Sequence, residues 1–184
     1  MRLITNISLV FLLVSCTNVY QQQLENSSRI ESTKVKRLKV DRKNDLDKVI
    51  IDYPQLEVLI LDSLNLDSLP PSIIKLDNLK HLSLVNNPNL NFEKALSITS
   101  KIEKLKFINL SNNQLSKVPD SFLSNTQIKS LKLSHNQINF NQLSSQLNQL
   151  PNIKKLWLNN NKINAFPDSL NGLKSIRYLY VFQN

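Results

Sequence analysis

Side chains able to do chemistry are few and scattered along this chain of 184 residues. Ser134 and His135 are sequence neighbours, which does not make a triad, and no carboxylate is tied to them by spacing. Asp120 and Asp168 each follow a Pro in the matched stretches VPDSF and FPDSL, and repetition at equivalent places points to a structural duty, capping a turn. His81 and His135 are the only His and Cys16 the only Cys, too few for a His-rich or Cys-based metal centre or an intrachain disulfide. A single Gly rules out Gly-rich phosphate loops and dinucleotide fingerprints. No enzyme activity, cofactor or metal is therefore expected. Lys and Arg total 23 against 14 acids, a formal +9 with a pI near 9.7. With 41% apolar residues and a mean hydropathy of −0.25, the chain reads as soluble and globular rather than disordered or polytopic. Leu and Asn are its commonest residues. With so little Gly, Asn is the residue left to supply left-handed turns.

The lone Cys has a telling address. Met1 and Arg2 precede a mostly apolar stretch from Leu3 to Val14. At about 12 residues it is too short to span a bilayer, which takes about 20, but it suits the apolar region of a secretory signal. Leu13-Val14-Ser15-Cys16 resembles the lipobox of bacterial lipoproteins. The resemblance implies that residues 1–15 are a signal peptide, that Cys16 carries a diacylglyceryl group, and that its freed amino group is acylated. Several acyl chains at ~0.8 kcal/mol per buried CH₂ would hold the chain on a membrane durably. An ordinary signal with a coincidental Cys is the alternative. Thr17, where Asp would imply inner-membrane retention, favours the outer membrane of a bacterial cell envelope, with the facing side left open. Residues 16–34 then form the lipidated Cys and a polar tether of roughly 21–25 Å root-mean-square span.

Residues 35–184 repeat a single pattern, LxxLxLxxNxL, at intervals of 21 to 26 residues. Leu105, Ile108, Leu110, Asn113 and Leu115 fill one copy. Ile128, Leu131, Leu133, Asn136 and Ile138 fill the next, and Ile153, Leu156, Leu158, Asn161 and Ile163 another. Leu79, Leu82, Leu84 and Asn87 start a copy that Pro88 disturbs, Leu64 takes the Asn slot of the copy at Leu56, and Val35 opens a worn first copy. Ile176, Leu179, Val181 and Asn184 begin a last, incomplete one. This resembles the leucine-rich repeat family. The resemblance implies an α/β solenoid of about seven repeats, with a parallel concave sheet and a convex side of turns, 3-10 and short helical segments. Alternation independently turns the fourth- and sixth-slot apolar side chains to one strand face. An amide in the Asn slot can donate and accept together, so Asn87, Asn113, Asn136, Asn161 and Asn184 are expected to form a structural ladder.

The outer halves alternate in kind. Pro70, Pro119 and Pro167 share a slot that blocks a long helix, whereas FEKALSITSKIEKL and FNQLSSQLNQL are spaced for short helices. Asn125 stands at a usually apolar place, so a loose corner is expected there. Lys34 to Arg42 with Leu46, Val49, Ile50 and Ile51 can form a partial N-terminal cap. No cap follows Val181, so truncation after Asn184 is the favoured expectation, with a covering surface as the alternative.

Slots three, five and seven face the concave side, a ledge of roughly 29 Å at ~4.8 Å per strand. Trp157, Tyr178, Tyr180 and Phe182 gather at its C-terminal end, with Phe107 further in and Lys132, Lys155 and Asn159 among them. These are the candidate partner-binding residues, because aromatic patches bury much area at little entropy cost. Alternatively, the rings face further repeats or a partner edge. Slot two is basic in six of seven copies: Lys36, Lys80, Lys106, Lys129, Lys154 and Arg177, with Glu57 the exception. The stripe reads first as a solvated face that keeps ladder edges from mispairing, ahead of contact with an acidic partner, anionic lipid or glycan. Nucleic acid is not an expected partner. The function expected is non-catalytic protein binding by a lipid-anchored envelope protein. The alternative is glycan or cell-wall polymer binding through the aromatic patch.

Overall fold

A computed structural model of the protein describes residues 34–163 and 173–184. Cys16, Pro167 and Asp168 lie outside the described residues. Within them, seven strands form one parallel sheet in sequence order: β1 (Arg37–Lys39), β2 (Val58–Ile60), β3 (His81–Ser83), β4 (Phe107–Asn109), β5 (Ser130–Lys132), β6 (Lys155–Trp157) and β7 (Tyr178–Tyr180). Each strand is three residues long with an apolar residue at its centre. Leu38, Leu59, Leu82, Ile108, Leu131, Leu156 and Leu179 align strand to strand in register. The six from Leu38 to Leu156 are buried, as are the residues two places on, from Val40 to Leu158. One continuous apolar interior runs from Val35 to Leu158, so no repeat has a core of its own.

After the second buried position the chain must turn off the sheet, and it does so through left-handed backbone. Ser63, Asn86, Asn112, His135, Asn160 and Gln183 occupy the same slot with φ between 53° and 59°. Asn tolerates this region best through its short polar side chain, His less well, and Gln183 has no such advantage. His135→Gly is expected to raise stability by about 1 kcal/mol, the steric relief outweighing the added freedom of the unfolded chain. An unchanged or lowered urea midpoint would refute this.

The convex side alternates as the Pro spacing implies. Pro70 and Pro119 hold extended backbone ahead of the 3-10 turns Pro71–Lys75 and Asp120–Ser124. The longer repeats carry α2 (Phe92–Thr99) and α3 (Phe140–Leu147). Asn91 caps α2 by accepting the Lys94 N–H at 3.0 Å, and Asn139 caps α3 through Gln142 at 3.1 Å. At the N-terminal end α1 (Leu46–Asp52), capped by Asp45, buries Val49 and Ile50 and leaves Ile51 exposed. No helix among the described residues is long and apolar enough to cross a membrane.

Two convex expectations are corrected. Asp120 does not cap its turn; its carboxylate accepts from Gln146 Nε2 at 3.2 Å and Lys117 Nζ at 3.4 Å. The cap comes from the previous repeat, where Glu93 on α2 accepts the N–H groups of Asp120 (3.1 Å) and Ser121 (3.0 Å). Burial pushes the Glu93 carboxyl up, but these donors and the Lys117 charge outweigh it and hold the pKa below the usual value. The Asn125 corner is tied down, not loose. Its fully buried amide donates to Leu96 C=O at 2.9 Å and accepts from the Thr99 hydroxyl at 2.8 Å.

Candidate functional site

The Asn slot forms the frame of the ledge. Asn113 Oδ1 accepts the Asn87 N–H at 2.6 Å, Asn136 Oδ1 accepts the Asn113 N–H at 3.0 Å, and Asn184 Oδ1 accepts the Asn161 N–H at 2.7 Å. Asn161 Oδ1 takes the Ile138 N–H at 3.0 Å. Each Nδ2 bridges to a carbonyl of the preceding repeat: Asn87 to Leu61, Asn113 to Leu84, Asn136 to Leu110, Asn161 to Leu133 and Asn184 to Leu158. The first four Asn are buried and Asn184 is exposed. These bonds fix the turn that leaves each strand, and therefore the direction of the concave side chains.

Two side-chain columns rise from the sheet. One runs Arg37, Val58, His81, Phe107, Ser130, Lys155, Tyr178; the other runs Lys39, Ile60, Ser83, Asn109, Lys132, Trp157, Tyr180. Four rings join across them into a seam. His81 and Phe107 lie 5.3 Å apart between centroids, Phe107 meets Trp157 edge-on at 6.1 Å, and Trp157 stacks on Tyr180 at 5.1 Å and 3°. Phe107 and Trp157 sit two strands apart, and the short side chain of Ser130 between them leaves room for that contact. Trp157 and Tyr180 are register partners on adjacent strands. Rings stacked along that direction stand upright on the sheet and turn their edges to the groove. Neither the Trp157 indole N–H nor the Tyr180 hydroxyl has a hydrogen bond among the described residues.

The other candidates fall around this seam. Lys155 Nζ lies 5.3 Å from the centroid of the exposed Tyr178 ring, a cation–π distance. Lys132 pairs in register with Trp157 and has no ion pair among the described residues. Phe182 is exposed and makes no ring contact within the described residues. Asn159 belongs to the frame, since its Oδ1 accepts the Phe182 N–H at 2.9 Å. Asp62 does the same four repeats earlier, accepting the Val85 N–H at 3.0 Å. His81 was absent from the sequence-based candidates although it occupies the slot of Phe107 one repeat back; that shared slot is the signal that finds it. Desolvation, then the charges of Arg37 and Lys80, lower its pKa from the usual 6.5, so its neutral form is favoured.

Comparisons with known proteins agree with this architecture. Residues 104–125 match the Leucine Rich Repeat family model. The transforming growth factor beta activator LRRC33 of Danio rerio is 33% identical over 103 residues, taking in 45% of this chain but 15% of that protein. A solved leucine-rich-repeat protein of Leptospira interrogans is 26% identical with a TM-score of 0.59, over 75% of this chain and 34% of that one. Internalin C2 of Listeria monocytogenes superposes with a TM-score of 0.51 at 18% identity, over 79% of this chain and 70% of that one, a likeness of fold. The chain thus spans a small part of the curated relative and about a third of the Leptospira protein. Parallel coils in register, Asn bridges between them and these likenesses together make the described chain a leucine-rich-repeat solenoid.

Proposed function

We propose that this protein is a non-catalytic binding module that seats a protein partner on its concave ledge while Cys16 anchors it to a bacterial envelope membrane, the outer membrane by the choice of Thr17. The observation that carries the ledge reading is the seam of His81, Phe107, Trp157 and Tyr180, four rings on a face whose backbone is rigidly bridged. Upright aromatics with unpaired N–H and O–H groups suit the mixed apolar and polar contacts of protein interfaces. A sugar platform needs an open ring face, and Trp157 has one face against Tyr180. Sugar binding is therefore the less favoured reading.

Affinity capture from envelope extract, followed by titration of the purified partner, tests the ledge. Trp157→Ala with Tyr180→Ala is expected to weaken binding about 30-fold, as loss of a central aromatic anchor does. Unchanged affinity with intact circular dichroism would overturn the reading. Cell-wall polymer or glycan binding abolished by Trp157→Ala would transfer the ledge to the alternative. A mature mass lacking diacylglycerol on Cys16 would remove the anchor.

A further inference from the structure

Resting on the ledge reading, we infer that the partner presents an acidic protein segment, lying across β4 to β7 with its carboxylates on a row of cations beside the aromatic seam. The slot-two residues extend the sheet by one position. Lys106 N–H donates to Lys80 C=O, Lys129 to Lys106, Lys154 to Lys129 and Arg177 to Lys154, all at 2.8 to 2.9 Å. Their backbones therefore step at ~4.8 Å, and the last four cover roughly 14 Å.

The two ends of this row differ. At the N-terminal end Glu57 stands between two cations, 2.7 Å from Lys80 Nζ and 3.7 Å from Lys36 Nζ. Glu57 offsets one of the two Lys charges there. Lys106, Lys129, Lys154 and Arg177 have no ion pair among the described residues. Lys106 Nζ and Lys154 Nζ donate to the carbonyls of Glu103 (3.0 Å) and Pro151 (2.8 Å), contacts that hold the ammonium groups in place without neutralising them. The uncompensated half of the row borders the strands that carry Phe107, Trp157 and Tyr180, and Lys132 and Lys155 add two more cations on the ledge itself.

Charge complementarity selects an acidic occupant, and the seam beside the row selects one that also carries apolar side chains. A peptide does both. At ~3.3 Å per residue, four or five extended residues cover the row. Carboxylates and carbonyls also supply acceptors for the unpaired Trp157 N–H and Tyr180 O–H. A flat anionic membrane would meet the rim cations and miss the rings inside the curve.

The test pans a phage-displayed library of random 12-residue peptides on the full chain. The expected selection is rich in Asp and Glu next to aliphatic or aromatic residues and is lost with Trp157→Ala. Lys129→Glu with Lys154→Glu should weaken the selected peptides about tenfold or more, and Lys129→Gln with Lys154→Gln less, in the same direction. Lys36→Glu should leave them unchanged. Circular dichroism checks that each variant is folded, and the Gln pair decides the matter should the Glu pair unfold. Peptides that need Trp157 but show no acidic bias and ignore the Lys changes would overturn this inference and leave the ledge reading standing. A selection with no peptide dependent on Trp157 would overturn both. Phosphatidylglycerol vesicles or an anionic polysaccharide held by the row, without help from Trp157, would assign the cations to those surfaces and overturn the inference.

Discussion

Asn136→Leu is expected to lower the unfolding free energy by about 4 kcal/mol, read as a fall in the urea midpoint. Leu has the branched shape of Asn, so the cost is not a cavity but two stranded backbone N–H groups and two carbonyls each short of one donor. Asn136 Oδ1 accepts the N–H groups of Asn113 and Leu115, both at 3.0 Å. Its Nδ2 donates to the carbonyls of Leu110 (3.0 Å) and Leu133 (2.9 Å), which keep the amides of Asn113 and Asn161 as second donors. Each buried group left unpaired costs ~1–3 kcal/mol, against which Leu gains only a little apolar burial. Asn184→Leu makes the useful contrast, because the same bonds there lie near water and its cost should be about 1 kcal/mol or less. A shift below about 0.5 kcal/mol for Asn136→Leu would show that the ladder is not what holds the turns.

Phe122→Ala should be comparably damaging, at about 3–5 kcal/mol. Phe122 is the bulkiest of the fully buried side chains and projects inward from the 3-10 turn Asp120–Ser124, which packs on α2. The turn is only five residues long, so the buried ring is its anchor in the core. Truncation would leave a void that the bridged turns on the sheet side cannot close, since the Asn bonds fix the spacing of the coils. Phe122→Leu keeps most of the volume and should cost about 1–1.5 kcal/mol. Equal losses for the two variants, measured by urea unfolding, would mean that the site tolerates collapse and that the cavity argument fails.

The strands were legible because a buried apolar residue every second position, repeated in the same slots, leaves little freedom of register. The helices α2 and α3 were legible from the missing Pro and the apolar spacing. Other features could not be read within one repeat, because their cause lies in the next. Glu93 caps a turn some 27 residues onward, and Thr99 satisfies Asn125 across a similar gap. Matching slots therefore misled at Asp120, whose partners are set by Lys117 and Gln146 instead of by its place after Pro. Left-handed backbone at Lys162 was equally hidden, since that residue type does not advertise it. At the ledge, the aromatic cluster was visible, but its reach to His81 depended on Phe107 touching Trp157 over the head of Ser130. That contact skips a strand and leaves no trace in sequence spacing.

The amide bridges also impose a direction in time. Asn87 has its N–H satisfied by Asn113, Asn113 by Asn136, and Asn161 by Asn184, always by a residue that the ribosome adds later. A coil that has folded without its successor is left with an open turn until that successor docks. Folding from the N-terminal end would therefore keep its newest turn wet until the next Asn docks to dry it.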